Sequence, residues 1–169
     1  MFRGRILPRL VLFITITFLA IEPSVLAQES TIKITLYDVG LAKVVYEIYA
    51  PLNFSVTVPL VGVPDPNYGL LVVGEGGEPL AYEINETDMT ISIAILNSSK
   101  VLISYYTVDI TSKIGKAWII NLTSPYSTLI VLPENSTLTY INPIPVEIGV
   151  EEDRITLLFE PGPIEIRYV

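Results

Sequence analysis

From residue 31 onward, apolar and polar side chains alternate one by one, in short runs cut by glycine, proline and asparagine. The first run sets Ile32, Ile34 and Leu36 against Lys33, Thr35 and Tyr37. Successive side chains of an extended strand point to opposite faces, so each run gives one apolar and one polar face. Comparable runs follow at 44–49, 54–60, 69–73, 80–84, 89–95, 101–109, 116–122, 127–132, 137–141, 146–150, 155–160 and 164–169. Period two, repeated with turns between, predicts an all-β chain: an antiparallel two-sheet β-sandwich of about 10–12 short strands. The last three runs predict one buried face from Val146/Ile148/Val150, Ile155/Leu157/Phe159 and Ile164/Ile166/Tyr168. Pro59 cannot donate to a ladder, which puts its run at an edge or ends it there. "GEGGEP" (74–79) reads as a hairpin turn, and 80–84, 89–95 and 101–109 as a meander.

The first thirty residues are written differently. Arg3, Arg5 and Arg9 precede a twelve-residue apolar run, Leu10 to Ile21, and Val25 and Ala27 fit the −3 and −1 positions of a cleavage site. This is the pattern of a secretory signal peptide, folded as an apolar helix, and the run is short for a membrane span. The expected division is 1–27 as signal peptide, or as N-terminal membrane anchor if uncleaved, and 28–169 as one domain. Cleavage removes three arginines and Glu22, leaving seven basic residues against seventeen acidic ones, about −10. That charge disfavours nucleic acid, whose binding rests on Lys/Arg contacts to phosphate. Membrane contact is expected only through the N-terminal segment. The chain has no cysteine, so no disulfide contributes to its fold.

Five of the seven asparagines head an Asn-X-Ser/Thr triplet: Asn53, Asn85, Asn97, Asn121 and Asn135. Behind an export signal these read as glycan acceptors on the surface. The same residues also suit turns. Both readings expose them. An outward Asn121 sends Trp118, Ile120 and Leu122 inward by alternation.

Catalytic chemistry has few candidates. The chain has no histidine and no cysteine, which removes Ser-His-Asp and Cys-His nucleophiles and imidazole or thiolate metal sites. Ser112-Lys113 and Ser99-Lys100 fall in expected loops, where a lysine is not desolvated into a base. Asp65, Asn67, Glu75, Glu78 and Glu151-Glu152-Asp153 could offer oxygen ligands to calcium, but match no loop motif. "GEGGE" lacks the Lys-Ser/Thr of a phosphate loop. Of the neighbours Tyr105 and Tyr106, one faces in and one out. No cofactor is expected.

The stretches "SYYTVDITSKIGKAWII" (104–120), "LPENSTL" (132–138) and "PGPIEIRYV" (161–169) resemble the extracellular β-sandwich of archaeal secreted or membrane-anchored surface proteins. There a Tyr-Tyr-Thr strand leads to a Thr-Ser-Lys-x-Gly-x-x-Trp segment. The resemblance implies a sandwich fold and no catalytic residue. It also implies a membrane tether after the last strand, sometimes with a cytoplasmic winged helix. This sequence stops at Val169 on its final strand, which leaves a free secreted form and a missing tether both open.

The expected function is that of a non-enzymatic secreted or cell-surface glycoprotein, an interaction or structural module whose partners are other protein chains or surface glycans. The alternatives are the sensory ectodomain of a membrane-bound archaeal regulator and a carbohydrate-active enzyme using two carboxylates. Sequons at both ends of the 89–95 strand argue against binding through end loops. Self-association through a sheet edge is expected instead, at the terminal run Ile164, Glu165, Ile166, Arg167 and Tyr168, which contains no proline.

Overall fold

The computed structural model describes residues 29–50, 54–95 and 98–169. The signal segment, its helix, Asn53 and Asn97 lie outside the described residues. Fourteen strands and no helix are present among those described. In order they are β1 Thr31–Leu36, β2 Ala42–Tyr49, β3 Ser55–Pro59, β4 Leu70–Gly74, β5 Tyr82–Asn85, β6 Thr90–Ala94 and β7 Lys100–Thr107. They continue with β8 Thr111–Ile114, β9 Ala117–Ser124, β10 Ser127–Val131, β11 Leu138–Asn142, β12 Glu147–Glu151, β13 Arg154–Phe159 and β14 Gly162–Tyr168. Thirteen coincide with alternating runs of the sequence. The exception is β8, whose Thr-Ser-Lys-Ile is too polar and too short for a periodic signal and was expected to be loop.

The strands form three sheets rather than two. Seven run in the order β12-β13-β10-β1-β2-β7-β4, four as β11-β14-β9-β8, and three as β3-β6-β5. The pairing is antiparallel except between β1 and β10, which run parallel with Ile32 beside Thr128 and Ile34 beside Ile130. The wholly antiparallel expectation fails there because β1 and β10 are joined by most of the chain rather than by a hairpin. The expected meander fails as well. β6 pairs with β5 and β3, whereas β7 pairs with β2 and β4 in the large sheet. The chain changes sheet between β6 and β7, so Asn85 and Asn97 cannot be assigned to opposite poles of one meander. "GEGGEP" does make a tight turn, with Gly74 N–H donating to the Glu78 carbonyl at 2.9 Å. After one bridge between Val73 and Pro79, the two strands part into different sheets.

Alternation decides what is buried. Ile32, Ile34 and Leu36 of β1, Val44 and Tyr46 of β2, and Ile103 and Tyr105 of β7 are all buried. They join Val58, Ile91 and Ile93 from the three-stranded sheet and Ile120, Ile164 and Ile166 from the four-stranded one in a continuous apolar cluster. This burial is the main favourable term in folding. Tyr105 and Tyr106 divide as expected, Tyr105 buried and Tyr106 on the outer face.

Two buried tyrosines are tied down by one backbone unit. Val61 N–H donates to the Tyr46 hydroxyl at 2.6 Å and to that of Tyr105 at 3.2 Å, and the Tyr105 hydroxyl donates back to the Val61 carbonyl at 2.9 Å. These bonds fasten the segment after β3 to the large sheet. They also satisfy hydroxyls that burial would otherwise leave costly. A second tie is Arg154, whose guanidinium donates to the carbonyls of Leu132 at 2.8 Å and Leu36 at 2.6 Å. Gly40 is a third. It takes φ of +78°, and a Cβ there would stand 2.4 Å from the Trp118 ring. Only glycine accepts both conditions.

Candidate interaction surface

The terminal strand is not an edge. β14 lies between β9 and β11 and pairs with both, Ile166 beside Ile120 on one side and Ile141 on the other. Ile164, Ile166 and Tyr168 are buried. The outward pair is engaged within the domain: Arg167 donates to Glu165 Oε1 at 2.7 Å, and its guanidinium stands 5.0 Å from the Tyr140 ring on β11. The expected interaction edge at Ile164–Tyr168 is therefore corrected. Position last in the sequence does not place a strand last in a sheet, and here β9 and β11 satisfy its backbone groups on both sides.

Tyr168 carries an unpartnered group. Its hydroxyl is buried with no hydrogen-bond partner among the described residues. Burial first, and then the charge of Asp38, push its pKa up to about 12. Tyr46 is also raised to about 12 by burial, against the opposing effect of its bonds from Tyr105 and Val61. Burial raises Tyr105 as well, helped by Tyr46 beside it. These tyrosines stay neutral and structural.

The sequon residues that can be located are all on the surface. Asn121 is exposed on β9, beside Glu165 of β14. Asn135 is exposed with φ of +58°. Asn85 ends β5, where its side-chain oxygen accepts from Thr87 N–H at 3.0 Å and its amide donates to Asp88 at 2.8 Å. That is the turn chemistry that asparagine favours. Alternation from Asn121 places Ile120 and Leu122 inside, as expected. Trp118 faces the same way but is only half-buried, packed on Gly40 with Lys113 Nζ 4.7 Å from its ring.

Several of the candidate catalytic and ligand residues hold structural contacts instead. Ser112 and Lys113 stand on β8 rather than in a loop, both exposed. Lys100 begins β7 and pairs with Glu47 at 2.6 Å, while Ser99 donates to Glu75 at 2.6 Å. The Glu47–Lys100 hydrogen bond lowers the carboxyl pKa and raises that of the ammonium. Asp65 Oδ1 accepts from both the backbone and the side chain of Asn67 at 2.8 Å, which closes a local turn. Among the described residues no group of three or more acids stands close enough to hold a metal ion.

Six strands stand at sheet edges, and most are blunted. β3 ends in Pro59, β5 ends in a sequon, and β8 has four residues. β4 is partly covered by the Val73–Pro79 bridge, and the ladder of β11 shifts register between Leu138 and Tyr140. The sixth, β12, is unlike them. Its alternate residues Ile148 and Val150 are 62% and 74% exposed, and Val146 just before it is 62% exposed. They were expected in the core. Ile148 and Val150 do share a face with Leu157 and Ile155 of β13, and Leu157 is buried. The large sheet nonetheless extends one strand beyond whatever covers it. Nothing in the local pattern of β12 distinguishes it from a core strand, so the sequence alone could not locate this surface.

No protein-family model matches this chain, and no curated protein matches it. Among solved structures it is similar to the crystal structure of an aminopeptidase N family protein from Idiomarina loihiensis, with a TM-score of 0.54 at 13% identity. The match covers 81% of this chain and 29% of that one. At that identity the likeness is one of fold.

Proposed function

We propose that this chain is a non-catalytic surface glycoprotein, exported and working as an interaction or structural module through its exposed sheet surfaces. Its three sheets are read as a sandwich-like body, the large sheet on one side and the two small sheets on the other. The observation that carries the proposal is the placement of Asn85, Asn121 and Asn135. All three are on the surface, as glycan acceptors must be, in a chain that opens with a basic and then apolar leader pattern. The lack of histidine and cysteine supports a non-catalytic reading. So do the structural engagements of the serines, lysines and acids considered above.

A second reading is favoured by the solved neighbour. That protein carries this fold over 29% of its chain, which suits an accessory unit working beside other domains. In such an assembly this chain would supply a docking body rather than the reacting groups.

The mass and N-terminus of native protein from a cell-surface fraction test the proposal. The expected result is a start near Gln28, with peptide masses increased at Asn85, Asn121 or Asn135. Intact Met1 together with unmodified peptides, recovered from a cytosolic fraction, would overturn it.

A further inference from the structure

We propose that β12 pairs with β12 of a second copy of this chain, antiparallel and centred on Ile148, joining two seven-stranded sheets into one. This deepens the interaction-module reading, on which it rests, by naming the surface and the partner.

The argument starts at the hairpin. β12 and β13 are joined by Glu152 and Asp153, with φ of +50° and +61°. These are the two central residues of a tight two-residue turn. In such a hairpin the flanking pair, Glu151 and Arg154, bond to each other, and the bonding alternates along the ladder. Gly149 and Glu147 therefore bond inward to β13, while Val150 and Ile148 aim their N–H and C=O groups at the open edge. The exposed apolar side chains and the unpaired backbone groups thus belong to the same residues. An edge of this kind is a template for another strand.

Register then selects the partner. With a twofold centred on Ile148, Ile148 faces Ile148 and Val146 faces Val150, so apolar residues meet across the seam. Glu147 falls opposite Gly149, and Glu151 falls opposite Pro145. Centring on Gly149 would instead oppose Glu147 to Glu151, and centring on Glu147 would oppose that residue to itself. Like charges directly opposite are unfavourable. Of the three central registers, on Glu147, Ile148 and Gly149, the one centred on Ile148 is therefore the one in which neither glutamate faces another acid. Val146 N–H is donated inward to the Leu158 carbonyl at 2.7 Å, which disfavours a twofold centred on Val146 and ends the bonded ladder there, so Val146 meets Val150 of the other copy through side chains alone. No sequon lies between Asn135 and Val169, so β12 and its hairpin partner carry no glycan acceptor.

The chain has no native cysteine, which makes single-cysteine cross-linking of the full chain a direct test of register. In the proposed pairing the two copies of position 148 form a bonded pair with Cα atoms about 5.5 Å apart, within disulfide reach. The two copies of position 150 stand four residues apart along the ladder, about 13 Å. Under mild oxidation Ile148→Cys is expected to give a covalent dimer and Val150→Cys none, while a mixture of Val146→Cys and Val150→Cys gives the mixed dimer. By sedimentation, Ile148→Lys is expected to weaken dimerisation at least roughly tenfold, with a melting curve that matches wild type at concentrations where both chains are monomeric. A wild-type chain that sediments as a monomer at its highest soluble concentration overturns the proposal. So does an Ile148→Lys chain that dimerises as wild type does, or a Val150→Cys chain that cross-links to itself as fast as Ile148→Cys. Any of these would leave the interaction-module reading to its own test on native surface material.

Discussion

β12 and β14 are written in nearly the same letters. Val-Glu-Ile-Gly-Val and Ile-Glu-Ile-Arg-Tyr each place three apolar residues on one face and a glutamate on the other. In β14 the three are 1%, 0% and 2% exposed, whereas in β12 and the residue before it they are 62%, 62% and 74% exposed. Both strands send their apolar face toward the core side of their sheets. What differs is coverage: β14 is second from the edge of a four-stranded sheet, with a strand on each side, and β12 is outermost in a seven-stranded one. Alternation tells which residues share a face. It says nothing about whether another layer lies over that face, because layering is set by pairings distant in sequence.

The largest expected difference between the two strands follows from this. Ile166→Ala should destabilise by about 2–5 kcal/mol, the cost of deleting buried methylenes and leaving a cavity. Ile148→Ala in the monomeric state should stay within about 0.5 kcal/mol, as substitutions away from buried features do. Denaturant unfolding of both variants checks this, and equal losses would mean that β12 is covered after all.

A second contrast lies in the tyrosines. Because the pKa values of Tyr46 and Tyr168 are both about 12 when folded, against about 10 in an unfolded chain, the native state holds protons that the unfolded state has released between those values. Stability should be full below pH 10 and fall as pH rises toward 12. Melting curves across that window check the direction, and Tyr168→Phe should flatten part of the fall.

The hydroxyls themselves should separate next. Tyr105→Phe removes a buried donor that Val61 depends on, at an expected cost of about 1–2 kcal/mol. Tyr168→Phe removes a buried hydroxyl with no partner among the described residues and should be neutral or stabilising by up to about 1 kcal/mol. A marked loss on Tyr168→Phe in thermal unfolding would show that the hydroxyl has a partner in solution. The smallest effect expected is that of Glu165→Gln. The Arg167 pair at 2.7 Å is partly exposed, and such surface pairs contribute from about 0 to 1 kcal/mol.

How much of this was legible beforehand follows the same division. Thirteen of the fourteen strands, the opposite facing of Tyr105 and Tyr106, and the inward Ile120 and Leu122 all follow from period two and need only neighbours in sequence. That the Pro59 run lies at an edge or ends there followed from its missing donor, a local fact, and β3 does both. The three-sheet division, the parallel β1–β10 ladder and the interior place of β14 do not follow, since each depends on which distant strand is nearest. Trp118 lies between the two cases. Its direction was readable from Asn121, but its half-burial depends on Gly40, more than seventy residues earlier. The candidate surface was the least legible part, because a residue left uncovered looks the same in sequence as one that is covered.

The parallel ladder has a consequence for the order of assembly. β1 pairs with β2 immediately and with β10 only across some ninety intervening residues. A chain that emerges from its N-terminus first can zip β1 to β2 and β7 early. The other side of β1 stays open until Ser127–Val131 arrives, and β13 and β12 can only be added after that. Closing so long a loop is entropically costly and topologically slow. During that interval the half-built sheet ends at β1, whose Ile32 and Ile34 are later completely enclosed. The time the chain spends there, rather than the depth of its final energy well, sets its exposure to wrong partners. The residues whose arrival ends that interval are those of β10.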